Sequence, residues 1–210
     1  MQVEHALVAA EVGADFVGLM FAPSPRQITL EQAAAILSAL RLREGAAPQP
    51  EPVAVFANAP IAEVQQTLRT LGLRTVQLSG TEDDDYVESM ADHQVIKAVH
   101  VTSGLPLPVA IVSVGRALAA LREQKAIAML DAKVDARLGG TGQRFDHEIA
   151  RSLAESYSFL LAGGLTPENV GQAVAAVHPW GVDVSSGVET NGVKDVAKMR
   201  AFVAAVRQTR

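Results

Sequence analysis

In this chain of 210 residues, the residues best suited to chemistry follow directly on short apolar runs. Asp131 comes straight after Ala126–Leu130 (AIAML) and opens a segment that runs through Gly139, Gly140, Thr141 and Gly142. Ser158–Ala162 (SFLLA) is followed by Gly163-Gly164-Leu165-Thr166-Pro167-Glu168-Asn169, and Gly181–Val184 (GVDV) by Ser185-Ser186-Gly187-Val188-Glu189. Glycines let backbone N–H groups come close to an anion, and Thr166-Pro167 supplies a cap followed by proline at a helix start, so a phosphate fits between the last two loops. Taken singly, a Gly pair is a tight turn; the two loops together favour phosphate. A carboxylate against apolar strand ends, as at Asp131, suits a general acid, with a helix cap or loop salt bridge as the plainer alternative. Asp183 stands inside an apolar run, where a charged side chain must face an open mouth or find a partner. Arg26, in Phe21-Ala-Pro-Ser-Pro-Arg26, can fork onto a carboxylate, and the prolines on either side of Ser24 stiffen its loop; solvation at the surface is the alternative.

The elements that must position these residues alternate. Apolar, β-branched runs at Asp15–Ala22, Val53–Ala57, Thr75–Leu78, Val95–Val101, Ala126–Leu130, Ser158–Ala162 and Gly181–Val184 read as buried strands. Between them the apolar spacing changes to three and four, as in Ile61, Val64, Leu68, Leu71 and in Val196, Met199, Phe202, Val203, Val206, the signature of one helix face. Such alternation means parallel strands joined by helical crossovers. The chain opens on a helical pattern (Val3, Leu7, Ala10, then Gly13 as a stop), so the expected fold is α/β, a (β/α)8 barrel lacking its first strand, with 1–210 as one domain; an open doubly wound sheet is the alternative. The Pro-rich stretch Glu44–Pro52 reads as a helix-to-strand loop, and Asp83, Asp84 and Asp85 read as the acidic start of a helix.

Composition narrows the function classes. With 18 Lys+Arg against 23 Asp+Glu, a net charge of -5 and 4% aromatic residues, a nucleic-acid partner is not expected. No apolar run reaches the roughly 20 residues a membrane span needs, and the chain has no cysteine, which excludes thiolate chemistry among these residues and fits a reducing cytoplasm. His5, His93, His100, His147 and His178 have no metal-ligand spacing, no serine sits in a nucleophile elbow, and no Gly cluster carries a nucleotide-loop lysine.

The segments AxxGADFVGLMFAPSPR, VAVFAN, VQLSG, MLDA with GGTGQRFDH, LAGGLTPENV and VDVSSGVETNGVKD, in this order and spacing, resemble the phosphoribosylanthranilate isomerase family of tryptophan biosynthesis. The resemblance runs from the first residues to about Lys198. It implies a (β/α)8 barrel that converts N-(5-phosphoribosyl)anthranilate into 1-(2-carboxyphenylamino)-1-deoxyribulose 5-phosphate by an Amadori rearrangement, with no metal and no organic cofactor. It further implies Asp131 as the general acid and Arg26 as the receiver of the anthranilate carboxylate. Asp183, Gly140 and Gly142 fall at the substrate mouth, and Gly164, Ser186 and Gly187 at the phosphate. The expected partner is thus a phosphorylated small molecule, with neither nucleic acid nor membrane, for a monomer or homodimer.

Two departures accompany the resemblance. The family opens with a Lys-Ile-Cys-Gly strand whose cysteine is the general base, and the present sequence aligns from just after it; VQLSG has Ser79 where the family has histidine. An upstream start with a further strand is one reading of the first departure, and a shortened, non-catalytic phosphate-ligand barrel is the other. Another sugar-phosphate isomerase or epimerase is the competing enzyme.

Overall fold

The structure is a computed structural model that describes residues 1–43, 48–101, 104–131 and 142–209, with the backbone alone for 142–147. It divides into two compact units, Met1–Ile96 and Lys97–Arg210. In the first, α1 (Val3–Val12), β1 (Phe16–Met20), α2 (Leu30–Arg41), β2 (Glu51–Phe56), α3 (Ile61–Leu71), β3 (Thr75–Leu78) and α4 (Asp84–Glu88) follow one another. β4 (Gln94–His100) spans the junction. The second continues with α5 (Leu107–Glu123), β5 (Ile127–Asp131), α6 (Gly142–Ala154), β6 (Phe159–Ala162), α7 (Val170–Val177) and β7 (Gly181–Val182). A 3-10 turn at Ser186–Val188, a hairpin of β8 (Glu189–Thr190) and β9 (Val193–Lys194), and α8 (Val196–Arg207) complete it.

All seven expected strands form, each within two residues of the sequence reading at either end. Pairing is parallel: Gly18 lies opposite Val53 and Val53 opposite Thr75 in the first unit, while Leu160 lies opposite Met129 and Gly181 in the second. Every residue of β6 is buried, as are the last four of β2, which is how parallel strands covered on both faces must read.

The helices begin and end where local chemistry requires. The Thr29 hydroxyl accepts from the Gln32 N–H while the Gln32 side chain accepts from the Thr29 N–H, a reciprocal cap for α2. Asp83 caps α4 by accepting from the Tyr86 N–H at 2.9 Å, so the acidic triplet is a helix start, as its composition suggested. On α3 the buried Val64, Leu68 and Leu71 keep the helical spacing of the sequence pattern. α7 is shorter than expected. It starts at Val170 instead of Pro167, because the Thr166 hydroxyl takes the Glu168 N–H in a local turn and Asn169 keeps φ at -114°, away from helical values.

Phe56, 1% exposed at the end of β2, stacks on Phe21 with ring centroids 5.3 Å apart and planes 17° from parallel. Phe56→Ala should lower the unfolding free energy by ~3–5 kcal/mol, by loss of buried area plus the cavity left behind. Chemical denaturation measures it, and a loss below about 1 kcal/mol would mean that this strand end is not packed as described.

Candidate active site

In the second unit, β5 ends on Asp131 itself. Its Oδ2 lies 3.6 Å from Nδ1 of His100, the last residue of β4, with the side chains 28% and 38% exposed. That separation is too long for a hydrogen bond and short enough for a strong Coulomb effect once the imidazole is protonated. Sequence reasoning weighed His100 only as a metal ligand. A single histidine closing a strand carries no spacing signal, so its place beside Asp131 was not legible.

Asp183 follows β7, its N–H donating to the Leu161 carbonyl at 2.9 Å. Burial pushes its carboxyl above the usual carboxylate range; the Lys194 charge opposes that shift, and the negative charge of Asp131 adds to it. Lys194 is the opposite charge that acts on Asp183. Lys194 itself lies 3.0 Å from Glu189 Oε1 and donates from Nζ to the Ser185 carbonyl at 2.8 Å.

The loops after β6 and β7 meet through their backbones. A Cβ added to Gly187 would fall on the carbonyl of Leu165 and within 3.2 Å of the Thr166 Cα, so no side chain fits there. On the facing loop, Asn169 accepts from the Thr166 N–H at 2.8 Å and donates to the Gly164 carbonyl at 3.0 Å, which fixes the turn. Among the described residues, no hydrogen bond uses the N–H of Gly164, Ser186 or Gly187 as its donor. Unused donors on two loops pressed together are what an anion site requires. Gly142 opens α6, whereas Gly140 lies outside the described residues.

In the first unit, Arg26 sits on a turn built around Ser24. The Ser24 hydroxyl accepts from the Arg26 N–H at 3.2 Å, its carbonyl accepts from the Gln27 N–H at 3.1 Å, and Gln27 Nε2 donates to the Phe21 carbonyl at 2.9 Å. Arg26 is half-buried on this turn. After β3, Ser79 donates its N–H to the Phe56 carbonyl at 2.8 Å, and its hydroxyl accepts from Gln77 Nε2 at 2.9 Å.

A family model described as N-(5'phosphoribosyl)anthranilate (PRA) isomerase matches residues 1–205. The chain belongs to the PRA isomerase family. An N-(5'-phosphoribosyl)anthranilate isomerase of Roseiflexus castenholzii is 45% identical over 206 residues, which cover 97% of this chain and 93% of that protein. The crystal structure of the PRA isomerase from Thermotoga maritima superposes with a TM-score of 0.81 at 32% identity, over 99% of this chain and 95% of that one. A PRA isomerase crystallised with reduced 1-(o-carboxyphenylamino)-1-deoxyribulose 5-phosphate superposes with a TM-score of 0.78 at 29% identity, over 99% and 94%. The fold class is thus α/β, of the (β/α)8-barrel type of this family. No helix among the described residues is long and apolar enough to cross a membrane.

The elevated proton affinity of Asp183 has a consequence for stability. Above the unfolded pKa of about 3.9, the native state binds more proton than the unfolded chain, so stability falls as pH rises toward and through the raised native value. Asp183→Asn removes that loss. Its thermal midpoint should exceed the parent's at pH 7–8, the advantage shrinking below about pH 4; a difference that does not change with pH would contradict the assignment.

Proposed function

We propose that this PRA isomerase works with Asp131 as its general acid, Arg26 on the anthranilate carboxylate, and the N–H groups of Gly164, Ser186 and Gly187 on the phosphate. The reaction of the family is the isomerisation of N-(5-phosphoribosyl)anthranilate to 1-(2-carboxyphenylamino)-1-deoxyribulose 5-phosphate in tryptophan biosynthesis. The observation that carries the residue assignment is the environment of Asp131. It ends an apolar strand with an imidazole 3.6 Å away and a second carboxyl close enough to feel its charge, in the same unit as the unused loop donors.

The chemistry asks for each of these. Protonation of the ribose ring oxygen by Asp131 opens the ring to an iminium, which acidifies the C2 proton. A base removes that proton, and the resulting enolamine tautomerises to the ketone. Asp183 at the same strand ends is proposed to face the sugar, where its high proton affinity lets it donate a hydrogen bond as well as accept one. Gly140 and Gly142, on the segment that follows β5, are proposed to line the substrate mouth. The family resemblance assigns the base to a cysteine, and none of the 210 residues is one. The acidic, cysteine-free composition fits a cytoplasmic enzyme, acting as a monomer or homodimer.

The assignment is tested on a version of the chain preceded by the family's Lys-Ile-Cys-Gly strand. Its turnover should exceed that of the 210-residue chain by ~10²–10⁴-fold, the typical worth of one general base; equal rates would give the base to another residue. In the same extended protein, Asp131→Asn should cost a comparable factor in kcat while affinity for the reduced product analogue stays within about threefold. Turnover that survives the substitution removes Asp131 as the acid. A non-catalytic phosphate-ligand barrel would instead be stabilised in a thermal-shift assay as much by a plain pentose phosphate as by the carboxyphenylamino sugar phosphate.

A further inference from the structure

Beyond β7 the chain makes a device that the proposed chemistry does not use. The hairpin β8–β9 turns at Asn191-Gly192, with φ of 53° and 79°, the left-handed pair of a two-residue loop. It returns Lys194 to the residue that precedes the 3-10 turn. The lysine side chain is only 13% exposed and its partner Glu189 only 6%. Its ammonium bridges two groups, the Ser185 carbonyl at 2.8 Å and the Glu189 carboxylate at 3.0 Å, and its charge also lowers the proton affinity of Asp183. Lys198 closes the same knot by donating to the Glu189 carbonyl at 2.7 Å, and the Asp195 N–H donates to the Val188 carbonyl at 2.8 Å.

Ser185 is the hinge of the matter. Its φ and ψ of -117° and -90° lie outside strand and helix, and it directly precedes the donors of Ser186 and Gly187. A carbonyl held at this point sets the direction of the next peptide N–H, since one peptide plane carries both groups. A cationic side chain can bind this carbonyl and compensate the neighbouring carboxylate together.

We infer that Lys194 is the positioning residue of the phosphate cradle: by fixing the Ser185 carbonyl against the Glu189 counter-charge, it turns the Ser186 N–H group, next to that of Gly187, toward an anion. This rests on the phosphate reading of these loops given above and adds to it a residue that does not touch the ligand.

The test is titration of the full chain with inorganic phosphate, followed on the backbone amide resonances of Gly164, Ser186 and Gly187. Lys194→Met should weaken phosphate by at least ~10-fold, the order expected for loss of a charge-assisted hydrogen bond that orients the donors. Lys194→Arg, which can bridge the same carbonyl and carboxylate, should stay within about threefold of the parent. If Lys194→Met does not fold, as judged by circular dichroism, Lys194→Gln replaces it, keeping a donor but losing the charge, and the same weakening is expected. Parent-like affinity in the folded Met or Gln variant overturns the role of Lys194 and leaves the phosphate site standing. Amides that do not respond to phosphate in the parent overturn the site and this role with it.

Discussion

Everything at the proposed phosphate end turns on one steric fact, the close approach of the Gly187 backbone to the carbonyl of Leu165. Two loops from different crossovers can approach this closely only where one residue has no Cβ. The contact holds the 3-10 turn against the Thr166–Asn169 turn, and each turn is fixed on its far side by side chains: Asn169 on one, Lys194 on the other. Unused N–H groups in such a junction keep their direction without a ligand, so binding need not first order them, and less affinity is lost to conformational entropy.

Behind that junction the charges alternate. His100, Asp131, Asp183, Lys194 and Glu189 follow one another through the second unit, cation or potential cation against carboxylate, apart from the one adjacency of Asp131 and Asp183. Two carboxylates that feel each other cannot both ionise at ordinary cost. Burial pushes the Asp183 carboxyl upward, and the charge of Lys194 acts against that push.

The alternating elements were legible because hydrophobic periodicity is a local property: β3 matches its apolar run at both ends, and α3 its three-and-four spacing. Boundaries drifted where side chains compete with the backbone, as at Thr166 and Asn169, whose hydrogen bonds delay α7. The glycine loops and Asp131 stood out as residues following apolar runs. His100 and Lys194 did not, since their meaning lies in what they face: Lys194 reaches back nine residues to Ser185, and His100 meets Asp131 across a crossover. The hairpin at Asn191-Gly192 was legible in principle from its turn dipeptide, although its two-residue strands are too short to show alternation.

A chain with net charge -5 is an unpromising receiver for the phosphate proposed at these loops, and the arrangement answers the difficulty locally. Glu189 is neutralised at 3.0 Å by Lys194. At Asp183, burial shifts the balance toward the neutral form. Asp131 lies 3.6 Å from the His100 imidazole. The field an anion meets at Gly164, Ser186 and Gly187 is therefore set by unpaired N–H dipoles with most nearby negative charge already balanced, and such near, fixed dipoles outweigh distant surface charges screened within about 8 Å at physiological salt.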